Sequence, residues 1–155
     1  MTTLLEQQLA QCKDDAEKVL VCLEAIKQDG EALKYVPENL KTAKFCLVAV
    51  RQNITAIMFV PENLKTAQLC LEAVKEDAYV LKFVPETLMT AEFCLEAVKQ
   101  NVLAFKYMPE KYKTAELCIE AVKQDSEALL YVPETIREEV KKAAEIKPSN
   151  QEIGK

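Results

Sequence analysis

The fold is decided by residues 60–84, which read VPENLKTAQLCLEAVKEDAYVLKFV. The Pro-Glu step that opens this stretch recurs every 24 residues without an insertion, at Pro37, Pro61, Pro85, Pro109 and Pro133. Cysteine keeps the same period, at Cys22, Cys46, Cys70, Cys94 and Cys118. Two residue types therefore mark one unit, and such strict spacing is typical of a repeat architecture.

Each unit is predicted to contain a turn and two helices. Pro61 fixes its own φ and keeps Val60 out of helical geometry, so one helix ends there. Thr66 stands at an N-cap position ahead of residues 67–76, whose apolar side chains recur at i, i+3, i+4 and i+7. Asp77 is a residue type that caps a second helix. The long helix should have about ten residues and the short one about six, too few to be stable alone.

The same pattern predicts one helical-repeat domain over residues 1–146. Lys142 and Glu145 occupy positions that hold cysteine and alanine in the earlier units, so the stack should end there. We expect an N-terminal cap and partial repeat at 1–36, full repeats at 37–60, 61–84, 85–108 and 109–132, a C-terminal capping helix at 133–146, and a disordered tail at 147–155.

The unit Val-Pro-Glu-Asn-Leu-Lys-Thr-Ala-x-x-Cys-Leu-Glu-Ala-Val-Lys-Gln resembles the short helical repeats of a bacterial family described only as a domain of unknown function. It is also similar to the leucine-rich repeat variant, which alternates an α-helix with a shorter helical element. The resemblance covers residues 13–146 and implies an all-α fold, an α-solenoid wound as a right-handed superhelix of stacked 24-residue two-helix repeats. Neither family carries a catalytic residue that transfers to this chain. The regularity also leaves a consensus-designed origin open.

Composition narrows the class of partner. The 155-residue chain has a net charge of −5, so its field should repel phosphate backbones and anionic membrane surfaces. No apolar stretch approaches the roughly 20 residues that span a bilayer, and we find no signal peptide at the start. We therefore expect a cytoplasmic protein that binds neither nucleic acid nor membrane and is a monomer or a weak homo-oligomer.

The residue types and their spacing give little support to an enzymatic or metal-binding function. The five periodic cysteines lie in the apolar stripe of the long helix, which predicts small buried side chains, and Cys12 alone is out of phase. The chain has no histidine and no closely spaced cysteine pair, so we expect no metal and no cofactor. A cysteine nucleophile would lack its usual base. Glutamates of the long helices precede Lys or Arg by three residues, which predicts a solvated face of i, i+3 pairs.

Helical repeats can also read RNA, with stacking side chains on a shared basic surface. Here the aromatic residues fall at apolar positions, where we expect core packing, so an RNA-binding array is the weaker alternative. They are Tyr35, Phe59, Phe83, Tyr107 and Tyr131 in one column, a column being the set of residues at one position of every unit, and Phe45 and Phe93 in another.

Candidate contact residues are the apolar exceptions to the repeat. Val48 stands in a glutamate column, and Met58 stands in the column of Lys34, Lys82 and Lys106. Ile54 precedes Met58 by four residues and would share its face of an α-helix. Clustered exposed apolar side chains often mark an interface. We predict a non-enzymatic scaffold that binds a protein or peptide through Val48, Ile54, Met58, Tyr79, Met89, Leu103 and Leu130, the alternative being a structural or self-associating segment.

Overall fold

The computed structural model describes residues 4–145, of which 79% lie in helices and none in strands. The all-α prediction is therefore confirmed for this part of the chain. Its α-helices are α1 (Leu4–Gln11), α2 (Asp15–Gln28), α3 (Ala43–Gln52), α4 (Ala67–Glu76), α5 (Ala91–Gln100), α6 (Ala104–Tyr107), α7 (Ala115–Gln124) and α8 (Arg137–Ala143). The predicted tail at 147–155 lies outside the described residues. None of the helices within 4–145 is long and apolar enough to cross a membrane.

The long helices begin and end where the unit pattern predicts. The Thr66 hydroxyl accepts a hydrogen bond from the Leu69 N–H at 3.2 Å, and threonines cap α3, α5 and α7 in the same way. At the other end of α4, the Asp77 N–H donates to the Ala73 carbonyl at 3.0 Å. Asp77 then caps the next element, because its carboxylate accepts from the Tyr79 N–H at 2.9 Å. One residue thus ends the long helix and starts the short one.

The short helices differ from expectation in their geometry. Four of those described are 3₁₀-helices, at Gly30–Tyr35, Ile54–Phe59, Ala78–Phe83 and Ser126–Tyr131. The remaining one, fourth in chain order, is the four-residue α6, which also begins with i→i+3 bonds such as that from the Phe105 N–H to the Val102 carbonyl. The physical reason is length. Between an Asp or Asn cap and the next Val-Pro or Met-Pro step there are only six residues, and i→i+3 bonds satisfy more backbone groups in so short a span than i→i+4 bonds would. Each proline turn adds a further 3₁₀ turn, as at Glu62–Leu64.

Units pack mainly against their neighbours in the chain. Each long helix from α2 to α8 contacts the next one in order, and each short helix contacts the next short helix. The cysteine column is buried, with no member more than 1% exposed. The alanines beside it in the four full repeats, Ala49, Ala73, Ala97 and Ala121, are also buried, so the helices approach closely. At Gly30 a Cβ would collide with the Ala49 carbonyl oxygen and lie 2.9 Å from the Asn53 backbone nitrogen, so the first short helix needs glycine there.

Candidate functional site

The five short helices together form one surface, which we call the short-helix row (residues 30–35, 54–59, 78–83, 102–107 and 126–131, the fourth range being α6 with the two residues before it). It is continuous because consecutive short helices contact one another. Eight large apolar residues in the described chain are exposed, and six of them lie on this row: Tyr35, Met58, Tyr79, Leu103, Leu130 and Tyr131. The row is therefore where the apolar surface of the described chain is concentrated.

The 3₁₀ geometry decides which side chains of the row stand together. With three residues per turn, residues i and i+3 eclipse each other. The second and fifth residues of each six-residue segment of the row are therefore stacked. The five pairs are Glu31/Lys34, Thr55/Met58, Tyr79/Lys82, Leu103/Lys106 and Glu127/Leu130. The segment that contains α6 keeps this spacing with an i→i+3 bond from the Lys106 N–H to the Leu103 carbonyl. The Lys34 ammonium lies 3.6 Å from Glu31, and the Lys82 ammonium lies 4.5 Å from the Tyr79 ring centroid.

The predicted pairing of Ile54 with Met58 is wrong. An α-helix would place these residues, four apart, on one face, but in the 3₁₀-helix it is Thr55 that stacks with Met58. Ile54 is half-buried against the core, whereas 51% of Met58 is exposed. Of these two deviations from the repeat, Met58 therefore adds an exposed apolar side chain, whereas Ile54 reflects core packing.

Val48 and Met89 also lie away from the exposed apolar surface. Val48 is on α3 and packs half-buried against the core, and Met89 is buried in the turn before α5. The residues in the Met89 column explain its burial. The Lys41 stem is buried while its ammonium reaches Glu38 at 2.6 Å, and the Lys113 ammonium donates to the Tyr131 carbonyl at 3.0 Å. Methionine fits the space of such a stem, so Met89 as a surface contact is wrong.

The aromatic column was expected in the core, and the structure places it at the edge of the core. Phe59, Phe83 and Tyr107 pack half-buried on the core, while Tyr35 and Tyr131 are exposed. Lysines of the row lie over these rings. Lys34 is within 5.9 Å of two ring centroids, those of Tyr35 and Phe59, and Lys106 likewise lies 5.6 Å from the centroids of Tyr107 and Tyr131. Sequence reasoning missed this interleaving, although the recurring Lys-Tyr and Lys-Phe dipeptides were its signal.

Tyr79 brings a further ring to the centre of the row. It makes edge contacts with Phe83 and Tyr107, at centroid separations of 5.9 and 5.5 Å. An adjoining cleft of about 380 Å³ lies among units 61–84, 85–108 and 109–132, and its lining includes Lys82, Tyr107, the buried Met89 and the paired Glu86 and Lys111. Exposed rings, fixed cations and an adjacent partly apolar cleft together suit contact with a side chain from another molecule.

The opposite, charged face differs in detail from the predicted i, i+3 pairs. Lys27 does lie 3.9 Å from Glu24, but Arg51 pairs with Glu72 of the next unit at 3.0 Å. The reason is Val48, which occupies the glutamate position in the Arg51 unit. Glu96 instead accepts a hydrogen bond from Gln100 at 2.8 Å. These exposed pairs contribute little stability and form no concentrated field.

The cysteine column has the environment of core residues. All five members are buried free thiols, as predicted, and Cys12 is partly exposed. Burial raises the pKa of Cys46, Cys70 and Cys118 to about 11, and nearby lysines only partly oppose this. Within residues 4–145, no group of three or more His, Cys, Asp or Glu side chains is placed to hold a metal ion.

We predict that thiol labelling will separate Cys12 from the column. A thiol with a pKa of about 11 is protonated at pH 8, so its reactive thiolate is on the order of a hundredfold scarcer than at an ordinary thiol, and burial also blocks the reagent. In the native protein Cys12 should react first, and the other five only after denaturation, as followed by mass spectrometry. Fast labelling of all six without unfolding would contradict the burial of the column.

Comparison with known families reproduces the internal period. The profile of a family described as a domain of unknown function, DUF4116, matches residues 20–65, 68–113 and 92–137. The starts of these matches are 48 and 24 residues apart, multiples of one repeat. The chain belongs to the DUF4116 family. The resemblance of the repeat motif to a helical-repeat family of unknown function is thereby confirmed. The DUF4116 matches cover α3, α5, α7, all of α4 except its first residue, and the whole short-helix row. No curated protein and no solved structure matches this chain.

Proposed function

We propose that this DUF4116 chain is a non-enzymatic scaffold that holds a protein or peptide partner along the short-helix row. The observation that supports this most directly is the concentration there of six of the eight exposed large apolar residues. Contiguous exposed apolar groups with polar neighbours are typical of interaction surfaces. We assign no catalytic residue and no cofactor, and we retain a bacterial cytoplasmic setting as an expectation.

The finer architecture belongs to the same proposal. Contacts that run mainly between adjacent units, together with the serial order of the short helices, support an α-solenoid. A right-handed superhelix is the form that we expect. In such a stack the short-helix row is one continuous face, so a single extended segment can contact several units at once.

RNA binding is the second candidate. Lysines interleaved with aromatic rings are also found on surfaces that bind single-stranded nucleic acid, and Lys34, Lys82 and Lys106 lie over rings in this way. The net charge of −5 opposes it. Fluorescence anisotropy with labelled single-stranded RNA distinguishes the two candidates, since RNA affinity should fall steeply as salt is raised.

We predict that a face variant will lose its partner and keep its fold. Met58→Lys, Tyr79→Thr, Leu103→Thr and Leu130→Lys introduce residue types already present in the same columns. Met58→Lys, Leu103→Thr and Leu130→Lys should each change the free energy of unfolding by at most about 0.5 kcal/mol, and Tyr79→Thr by about 1–3 kcal/mol because it also removes two edge contacts between rings. The affinity for a partner captured by the wild type should fall by about 1–3 kcal/mol per anchor residue lost. Calorimetric titration and thermal melts measure both.

A matched control removes an exposed apolar residue that lies off the row. Leu20 is 63% exposed on α2, and Lys44 occupies the equivalent position, so Leu20→Lys should leave affinity unchanged. Sedimentation over a range of concentrations tests the remaining alternative, self-association. If the face variant melts normally and binds the captured partner as tightly as the wild type, the row is not the binding surface.

A further inference from the structure

Two ammonium groups converge on one ring at the centre of the short-helix row. Lys82 Nζ lies 5.5 Å and Lys106 Nζ 5.6 Å from the centroid of Tyr107. A second ring holds each of them, Tyr79 for Lys82 at 4.5 Å and Tyr131 for Lys106 at 5.6 Å. Both lysines are exposed. The two ammonium groups, which belong to neighbouring units, are thus both positioned against the Tyr107 ring.

Within residues 4–145 neither lysine makes an ion pair, although Asp125 and Glu127 line one small cavity with Lys106 and Glu86 lines the cleft with Lys82. Across residues 4–145, no carboxylate oxygen lies within 4.0 Å of either ammonium, whereas Lys34 in the same column pairs with Glu31 at 3.6 Å. The reason is a substitution at the stacked position. Where the first unit has Glu31, the units of Lys82 and Lys106 have Tyr79 and Leu103. These units keep the cation and replace its internal carboxylate with an apolar side chain.

The apolar replacements are exposed beside the unneutralised cations. Tyr79 is 45% and Leu103 57% exposed. In the last unit the two residue types are exchanged. Glu127 stands where the preceding unit has Leu103, and its stacked partner is the apolar Leu130. A ligand that matches this pattern carries one negative charge at the centre and apolar groups on its flanks. Electrostatic complementarity of this kind sets the register of a bound partner.

We infer that the row binds a linear peptide segment of a partner protein that has an Asp or Glu flanked by apolar side chains, with the carboxylate seated beside the Tyr107 ring, in reach of Lys82 and Lys106. This inference rests on the proposed function and names the chemistry of its partner. The peptide carboxylate neutralises Lys82 and Lys106 as Glu31 neutralises Lys34. One apolar side chain packs on Tyr79 and enters the cleft of about 380 Å³ beside Tyr107, and the other packs on Leu103.

Selection from a displayed library of random peptides tests the inference. Peptides recovered on the wild-type protein should be enriched in Asp or Glu with apolar neighbours. Their affinity should fall by about tenfold or more on the double variant Lys82→Gln, Lys106→Gln, because an interface ion pair loses its cation. The matched control is Lys99→Gln, Lys123→Gln, two exposed lysines on long helices, which should change affinity less than about twofold. Circular dichroism melts check that both variants fold.

Each other outcome contradicts a defined part of the proposal. Peptides without acidic enrichment that bind the wild type and lose affinity with Tyr79→Thr and Leu103→Thr would overturn the acidic-peptide inference and leave the proposed function standing. Recovery of no peptide that depends on the row would overturn both. Binding of labelled single-stranded RNA that is lost in the Lys82→Gln, Lys106→Gln variant would replace the peptide with nucleic acid.

Discussion

Replacing Phe105 with alanine is expected to lower the free energy of unfolding by about 3–5 kcal/mol. Phe105 lies in α6, has 0% of its surface exposed, and is the largest fully buried side chain in the described core. Its ring also supports the stem of Lys113, whose ammonium lies 4.8 Å from the ring centroid. The alanine variant therefore creates a cavity beneath the fourth short helix and removes the surface on which Lys113 packs. Urea denaturation followed by circular dichroism measures the loss.

Leucine at the same position is the matched control. The equivalent residues are Leu33, Ile57, Leu81 and Leu129, so the units accommodate an aliphatic side chain of this size at this position. We expect Phe105→Leu to cost less than about 1.5 kcal/mol, since most of the buried volume is kept. Equal losses for alanine and leucine would mean that the aromatic contact with Lys113, rather than cavity formation, determines the effect.

Deleting residues 85–108 is expected to leave a shorter folded protein. The deletion joins Val84 to Pro109 and so restores the Val-Pro step at the junction. Because the main contacts run between adjacent units, units 61–84 and 109–132 can pack directly on each other. Stability should fall by the contribution of one unit and its interface, without loss of cooperativity. Helical circular dichroism and a single thermal transition are the measurements.

A half-unit deletion tests whether the protein tolerates the removal of a whole unit only, or any shortening of its chain. Removing residues 85–96 joins Val84 to Ala97, in the middle of α5, and so leaves one unit without its proline turn and most of its long helix, which interrupts the stack between α4 and α7. We expect this protein to lose most of its helical signal. If the 24-residue deletion unfolds as completely as the half-unit deletion, the proposed α-solenoid is wrong.

The proposed binding surface depends on the 3₁₀ geometry of four of the short helices and on the i→i+3 bond that links Lys106 to Leu103 at the start of α6. Residues i and i+3 eclipse each other only at three residues per turn; at 3.6 residues per turn they diverge by about 60° around the helix. That difference is what stacks Lys82 on Tyr79 and leaves Ile54 packed on the core. The proline steps limit each short helix to about six residues. They thus help to shape the surface as well as to separate the units.

The sequence by itself determined the features that depend on local chemistry and on period. Thr66 and Asp77 could be recognised as caps because a capping side chain bonds to a backbone group only two or three residues away. Burial of the cysteine column followed from its place in an apolar stripe of helical period. The family, the all-α class and the bounds of α4 were predictable for the same reason.

Only the tertiary structure decided which deviations from the repeat reach the surface. Met89 looked like an exposed exception among lysines, yet that column has buried stems, because the following short helix covers it. Lys82 and Lys106 come from different units and both lie against the Tyr107 ring. The pattern within one unit does not predict this contact. Contacts between residues about one repeat apart depend on how closely the units approach and on the pitch of each short helix, and packing decides both.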